Sequence, residues 1–359
     1  MNEILIFRYG QLGDFLVALP ALWAIREQHQ SSRIVLLSVS SDSTFVTPQQ
    51  ILPASGLIDE FWTFESVGAV SLAARIIELT RRIRGRGFDA LYYLSPRLRE
   101  DPRRAHRDIF FFRFIAGISQ IFACKGVQPL PRKMVGQYLS DVRSESDSLN
   151  DRLESSGIRI ADADKQRTDL RLSDSERLAA SDWRAKVGLS KPTSRLAVAF
   201  GIGGKWSSKK WPEEHFAKLG RRLIEEFSIE PVIFGGVTDL PLAERLVLHW
   251  GRGIVSTGDL GVRESAAAME GMLFYVGNDC GTMHLAAAAG LTCVCIFSSQ
   301  DWPGRWTPLG SGHVILRHRV PCEACRLAVC DRGLICLRAI TVESVIEQCR
   351  HLLAMRTAC

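Results

Sequence analysis

Several features are missing from this sequence, and each absence narrows the class of protein. No run reaches the roughly 18 apolar residues that a membrane-spanning helix needs, and the first residues lack the basic start and long apolar core of a signal peptide. The net charge of +6 permits an acidic substrate or an anionic membrane surface, but is too small to indicate nucleic acid. We therefore expect a cytoplasmic protein that binds no nucleic acid.

What is present indicates a globular α/β chain. Its 359 residues are 46% apolar and 23% charged. Apolar runs of strand length alternate with helical stretches, which predicts doubly wound parallel sheets. Two breakers, Gly188 and Pro192, mark a junction between about 165 and 195. We assign residues 1–172 to a first domain and residues 173–359 to a second.

The first strand, residues 4–7, runs into the loop RYGQLGD and a helix predicted over residues 15–28. Two glycines in this loop permit a tight turn, but their spacing is not the complete dinucleotide fingerprint. Asp14 ends the loop. A carboxylate there is suited to act as a general base, or alternatively only to favour the helix dipole.

A basic stretch follows the strand predicted at residues 88–94. Residues 97–113 carry six arginines, one histidine and three acids. This composition fits either a solvated face or a surface that binds phosphates or carboxylates bidentately. The candidate residues for binding an anionic ligand are Arg97, Arg99, Arg103, Arg104 and Arg107.

A glycine-rich loop with three lysines follows the strand predicted at residues 195–200. Glycines allow backbone N–H groups to approach an oxyanion, and a lysine adds a point charge, so phosphate binding is favoured over a solvated basic loop. The candidate residues are Gly203, Gly204 and Lys209. After the next strand, at 231–234, Asp239 is placed to accept ribose hydroxyls, or to favour a helix N-terminus.

A strand, loop, helix and strand are predicted across residues 273–297. The loop Asp279-Cys280-Gly281 lies at a strand's carboxyl end and opens a helix, and both features favour an anion such as phosphate. The alternative is an ordinary βαβ turn in which Asp279 or Thr282 caps the helix.

Taken together, these motifs resemble glycosyltransferase family 9, the ADP-heptose:lipopolysaccharide heptosyltransferases. Residues 4–28 are similar to its R-x-G-x-x-G-D opening, 199–216 to its S-K-x-W-P loop, 234–246 to its G-G-x-x-[DE] turn, and 277–290 to its G-x-D-[ST]-G-x-x-H-L-A-A-A-x-G signature. The resemblance covers nearly the whole chain, in the correct order.

The resemblance implies the GT-B architecture, in which two Rossmann-like domains face each other across a cleft. The final helix, at about 341–354, would pack back on the first domain. The function implied is inverting, metal-independent transfer of a heptose or related sugar from ADP-heptose to a lipopolysaccharide core. The nucleotide sugar is the donor substrate, no cofactor is required, and contact is expected at the inner face of the cytoplasmic membrane, although no amphipathic anchor is evident.

Site roles are carried over residue by residue from this resemblance. Asp14 would be the general base, and Lys209 would neutralise the donor diphosphate. Asp239 would bind the ribose, and Leu260 would lie against the adenine. The diphosphate and sugar would be held by Asp279, Cys280, Gly281 and His284. The arginines of 97–113 would bind the anionic acceptor.

One departure from the family pattern bears on the donor. Cys280 stands where the family has a hydroxyl residue, and a thiol is a weaker hydrogen-bond donor. The alternatives are therefore a transferase for a different nucleotide sugar, an epimerase of the same architecture, or a non-catalytic nucleotide- or glycan-binding protein.

Four of the ten cysteines cluster as Cys322-x2-Cys325-x4-Cys330-x5-Cys336. The first pair has zinc-ligand spacing, but the second pair does not repeat it. A structural zinc, and with it a zinc-containing nucleic-acid binder, is therefore a weaker interpretation than free thiols or a disulfide.

Overall fold

The computed structural model describes residues 1–40, 46–52, 56–65, 71–97, 103–125, 129–134, 137–190 and 196–357. Its contacts divide the chain into two compact units. Unit 1 comprises Met1–Pro131 and Arg143–Arg171, and unit 2 comprises Arg132–Val142 and Leu172–Cys359. The segment Arg132–Val142 therefore belongs to unit 2, although the residues before and after it belong to unit 1. The division predicted from sequence, at residues 172 and 173, places this segment in the first domain.

Unit 1 is built on a five-stranded parallel sheet of order β3-β2-β1-β4-β5. Its elements in chain order are β1 (Glu3–Phe7), α1 (Leu12–Leu16), α2 (Leu19–Gln28), β2 (Arg33–Ser40), α3 (Pro48–Ile51), β3 (Glu60–Glu65), α4 (Leu72–Arg86), β4 (Ala90–Tyr93), α5 (Arg104–Phe110), a π-helical turn (Phe111–Ile115), β5 (Gln120–Phe122) and α6 (Glu145–Glu154).

Unit 2 is built on a six-stranded parallel sheet of order β11-β10-β9-β6-β7-β8. Its elements are α7 (Asp174–Lys186), β6 (Ala197–Gly201), a 3₁₀ turn (Ser207–Lys209), α8 (Glu213–Phe227), β7 (Glu230–Ile233), α9 (Leu240–Trp250), β8 (Ile254–Val255), α10 (Val262–Met269), β9 (Tyr275–Asn278), α11 (Gly281–Ala288), β10 (Cys293–Phe297), β11 (Val314–Arg317), α12 (Ile335–Arg338) and α13 (Val342–Thr357). The predicted pair of parallel α/β domains is confirmed.

Both sheets reverse their winding beside their first strand. In unit 1 the chain builds outward from β1 through β2 and β3, then returns to place β4 on the other side of β1. In unit 2 it builds outward from β6 through β7 and β8, then places β9 on the other side of β6. Connections diverge at such switch points and leave a crevice at the carboxyl ends of the two strands. The loops after β1, β4, β6 and β9 are thus where ligands are expected.

The helix predicted over residues 15–28 is two helices in the structure, α1 and α2, which separate at Val17 and Ala18. Pro20 explains the break, because it lacks an N–H group and its ring would clash with the carbonyl of Leu16 in a continuous helix. At the start of α7, the spacing of Ser173 and Glu176 is that of a capping box, and the two residues form this box in the structure.

The last helix, α13, contributes Val345, Ile346 and Cys349 to the apolar core of unit 2. Its expected packing on the first domain remains a prediction. Among the described helices, none combines the length and the apolarity that a bilayer crossing requires.

Candidate functional site

The loop after β6 places a lysine against a buried carboxylate. Lys209 ends the 3₁₀ turn Ser207–Lys209, and its Nζ lies 2.6 Å from Oδ2 of Asp279, which directly follows β9. A backbone hydrogen bond fixes this turn: the N–H of Ser208 donates to the carbonyl of Ala328 at 3.2 Å. Two loops predicted separately from sequence therefore meet at the switch point of the second sheet.

Electrostatics keep this lysine charged. Burial alone would lower the pKa of Lys209, but the carboxylate of Asp279, with a smaller contribution from Asp301, more than offsets burial and raises that pKa. The helix α11 begins at Gly281, immediately after this pair, so its free N–H groups face the same region. A cation beside a helix N-terminus suits an anionic group such as a diphosphate.

Asn278, which sequence reasoning missed, fixes the lysine loop to the sheet. Its amide is fully buried. Oδ1 accepts from the N–H of Trp211 at 3.0 Å, and Nδ2 donates to the carbonyls of Ile202 and Gly203 at 2.7 and 3.1 Å. Asn278 directly precedes Asp279, but its amide contacts residues that lie some 70 positions earlier in the chain. Only its place within the motif at residues 277–290 could have indicated this role from sequence.

Asp239 lies against the glycine loop. Its Oδ1 is 3.5 Å from Nζ of Lys210, and its Oδ2 accepts from the N–H of Gly236 at 3.2 Å. A Cβ at Gly203 would come within 2.1 Å of the same carboxylate, so a larger residue there would displace Asp239 from the loop. The structure thus brings Asp239 together with Gly203 as well as with its own turn. Gly204 and Leu260 are half-buried in their loops.

Cys280 precedes α11 with its Sγ 3.7 Å from the hydroxyl of Tyr275. Burial raises the pKa of this thiol, so it stays neutral at physiological pH. It is therefore a weak hydrogen-bond donor at a position where the resemblance leads one to expect a hydroxyl.

His284 lies on the buried face of α11 and is 5% exposed. Its Nδ1 has no hydrogen-bond partner within the part of the chain that the structure describes. Burial, reinforced by the charge of Lys209, lowers the pKa of this imidazole to about 3. A neutral histidine beside the lysine can donate or accept a hydrogen bond without adding charge.

Protonation of His284 gives a testable pH dependence. Because its folded pKa of about 3 lies below the unfolded value near 6.5, the stabilisation is complete above that unfolded value and is lost as the pH falls toward 3. Between pH 7 and 5 this group should lower the free energy of unfolding by about 2 kcal/mol. Urea unfolding should show that His284→Gln loses correspondingly less stability over this interval. Equal losses in the parent and the variant would contradict the assignment.

A second buried carboxylate, also missed from sequence, supports the same region. Asp301 accepts from Arg305 at 3.2 Å, from Arg326 at 2.6 Å and from the indole of Trp306 at 3.1 Å. Burial would raise the pKa of Asp301, but the two guanidinium groups hold it below its ordinary value. Asp301 acts electrostatically on Lys209, so the lysine is stabilised by two carboxylates.

In unit 1, Asp14 lies in α1, just after β1, where the first sheet has its switch point. Its Oδ2 accepts from the N–H of Gln11 at 2.8 Å, and its carbonyl accepts from Nε of the fully buried Arg8 at 2.8 Å. Arg8 also donates to the carbonyl of Leu94 at the end of β4. Gly10 has φ of +139°, and a Cβ there would lie 2.3 Å from that of Asp14. The loop is therefore built around Asp14.

The arginine surface predicted to bind an acceptor is corrected in part. Arg97 is 5% exposed, and its Nε lies 3.2 Å from the buried carboxylate of Glu145, so it is an internal ion pair and not a surface ligand. Arg104 lies half-buried over the ring of Tyr9, 4.0 Å from its centroid. Arg103 and Arg107 are exposed, and Arg99 lies outside the described residues.

The cysteine cluster shows no metal site. Within the described residues no group of three or more His, Cys, Asp or Glu side chains could hold a metal ion. The four thiols are free, with Cys336 buried and the other three half-buried.

The two doubly wound parallel-sheet domains have the fold of the GT-B class of glycosyltransferases. A crystal structure of a glycosyl transferase family 9 protein from Veillonella parvula matches 99% of this chain and 98% of its own, with a TM-score of 0.75 and 23% identity. A solved structure of E. coli heptosyltransferase WaaC with ADP-2-deoxy-2-fluoro heptose matches 97% of this chain and 99% of its own, with a TM-score of 0.64 and 16% identity.

Sequence comparison places the chain more narrowly. The model of glycosyltransferase family 9 (heptosyltransferase) matches residues 154–335, and the chain belongs to this family. Lipooligosaccharide heptosyltransferase 2 of Haemophilus ducreyi is 28% identical over 188 residues, which are 46% of this chain and 50% of that relative. The chain thus spans about half the length, or less, of the curated relatives it matches.

Proposed function

We propose that this chain transfers a heptose or related sugar from ADP-heptose to a lipopolysaccharide core acceptor, with inversion at the anomeric carbon. The observation that carries the proposal is the Lys209–Asp279 pair, 2.6 Å apart at the switch point of the second sheet and beside the start of α11. Sugar transfer builds negative charge on the departing diphosphate, and a fixed cation with oriented N–H groups stabilises that charge.

The chemistry divides between the two units. Asp14 of unit 1 accepts the proton of the acceptor hydroxyl, and that oxygen bonds to the anomeric carbon as the bond from this carbon to the diphosphate oxygen breaks. Lys209 of unit 2 and the amides at the start of α11 stabilise the negative charge left on the diphosphate. The proposed reaction therefore requires no metal. Asp239 binds the ribose, and Leu260 lies against the adenine.

The relatives support the choice of substrates. The solved structure of the E. coli protein of similar fold contains ADP-2-deoxy-2-fluoro heptose, and the Haemophilus relative is named as a lipooligosaccharide heptosyltransferase. A cytoplasmic site of action at the inner face of the membrane, where such a lipid-borne acceptor is reached, belongs to the same proposal.

Thermal unfolding in the presence of ADP, UDP, NAD and ADP-heptose tests the donor. A ligand at 100 times its dissociation constant stabilises the folded state by about 2.7 kcal/mol. We expect ADP and ADP-heptose to raise Tm, and UDP and NAD to leave it unchanged. The absence of a shift with any adenine nucleotide would contradict the proposal.

A second candidate, a transferase for another nucleotide sugar, is favoured by Cys280, whose neutral thiol replaces a hydroxyl next to the proposed diphosphate site. Stabilisation by ADP together with transfer from a sugar other than heptose would support it. Binding of ADP-heptose without transfer to any acceptor would instead indicate a non-catalytic binding protein.

A further inference from the structure

Helix α5 and the π-helical turn that follows expose large apolar side chains on unit 1. Phe110, Phe114 and Ile115 are 56%, 65% and 41% exposed. The rings of Phe110 and Phe114 lie 5.1 Å apart between centroids, so they form one apolar surface. Exposed apolar patches rimmed by polar groups usually mark a contact with another protein or a membrane.

Arginines continue the same face of the helix. Arg103, Arg107, Phe110 and Phe114 follow one another at intervals of four, three and four residues, a spacing that brings side chains to one face of an α-helix. Arg103 directly precedes α5, and Phe114 lies in the π-helical turn, where its ring contact with Phe110 continues the stripe. Both arginines are exposed, and 67% of the Arg107 side chain is open to solvent. Arg113, also exposed, lies beside the aromatic end.

The opposite face of the segment is anchored in the protein. Phe112 is 2% exposed and packs against Phe7 of β1, with ring centroids 5.1 Å apart. Asp108 is the only acid in residues 103–116; it is 15% exposed and accepts a hydrogen bond from Tyr93 at 3.0 Å. Nε of Arg104 and of Arg107 each lie 3.7 Å from this carboxylate. Arg104 is half-buried beside it, so the acid and one arginine are turned inward, whereas the two phenylalanine rings and most of the Arg107 side chain remain in solvent.

We propose that this stripe, Arg103-Arg107-Phe110-Phe114 with Arg113, docks unit 1 on the surface of an anionic lipid bilayer. Guanidinium groups bind the anionic headgroups, and the two phenylalanine rings enter the boundary between headgroups and acyl chains. A second copy of the chain fits less well, because a two-fold contact would bring the same arginines against each other. The inference rests on the proposed function only in that a lipid-borne acceptor gives the docking a purpose.

Co-sedimentation with vesicles tests the surface without any substrate. We expect the protein to bind vesicles of phosphatidylcholine with phosphatidylglycerol, to be released by salt, and to ignore phosphatidylcholine alone. The double variant Phe110→Ser/Phe114→Ser should lower the fraction bound at least about tenfold, because each ring loses its apolar burial. The matched control, Leu178→Ser/Leu248→Ser, changes two exposed leucines of unit 2 and should bind like the parent.

Three results would overturn the inference: equal binding to neutral and anionic vesicles, equal binding by the phenylalanine variant and the parent, or loss of a dimer in that variant with no vesicle binding by the parent. Transfer to a water-soluble acceptor fragment separates this inference from the proposed function. The phenylalanine variant should keep that activity. If the parent binds anionic vesicles but transfers no sugar in solution, only the proposed function is rejected.

Discussion

Replacing Lys209 by methionine should lower turnover by about 10²–10³-fold, which corresponds to about 2.7–4 kcal/mol of transition-state stabilisation. The lysine lies 2.6 Å from Asp279, and its pKa is raised, so it is charged at every pH at which the protein would work. The charge of Lys209 stabilises the leaving diphosphate in the transition state more than it stabilises the bound donor. The value of kcat should therefore fall by a larger factor than KM rises. Steady-state kinetics with ADP-heptose measures both.

The variant also disturbs a buried pair, and this must be separated from the chemistry. Removing one partner of such a pair typically destabilises a protein by about 3–5 kcal/mol, because the other charge is left buried. The double variant Lys209→Met/Asp279→Asn removes both charges and should recover much of that stability without recovering turnover. Lys218→Met, which changes an exposed lysine of α8, is the control and should leave turnover near the parent value. Near-parent turnover in Lys209→Met would remove the lysine from the mechanism.

The parts of the site that could be predicted from sequence are those that follow from position along the chain. A loop that ends a buried strand must lie at the carboxyl edge of a parallel sheet, so Asp14, Lys209 and Asp279 were placed correctly relative to their own sheets. Glycines were informative for the same reason. Gly203 leaves room for the carboxylate of Asp239, a contact within a single edge of the sheet.

The parts that sequence missed depend on contacts between distant residues. Asn278 looks like any strand-end amide until the loop of Trp211 folds onto it. Arg97 belongs to a run of arginines that reads as a surface, and only the fold brings it to Glu145, 48 residues later, inside unit 1. The amino-acid composition gives the number of charged residues but not their burial, so a buried ion pair and a ligand-binding surface cannot be distinguished from sequence.

The docking surface was missed for a related reason. Residues 109–112 form a continuous apolar run, and so short a run suits a strand as well as a helix. The helix continues as a π-helical turn at Phe111–Ile115, which keeps Phe112 inside and leaves the rings of Phe110 and Phe114 in solvent. The structure thus removes Arg97 from the predicted acceptor-binding surface. It places the exposed Arg103 and Arg107 in one segment with the exposed rings of Phe110 and Phe114.

Replacing Asp14 by asparagine should lower turnover by about 10²–10⁴-fold, the usual range for loss of a general base. The loop should keep its shape, because the asparagine oxygen can still accept from the N–H of Gln11 and because the substitution keeps the main-chain carbonyl that accepts from Arg8. The dissociation constant for ADP should not change, since the proposed donor residues all belong to unit 2.

Glu78→Gln, which removes an exposed carboxylate from α4 of the same unit, is the matched control for Asp14→Asn and should turn over like the parent. Calorimetric titration with ADP and steady-state kinetics, made on both variants, separate binding from chemistry. Parent-like turnover in Asp14→Asn would show that another group takes the acceptor proton. A weakened affinity for ADP would instead show that Asp14 contributes to donor binding, and the division of chemistry between the two units would have to be redrawn.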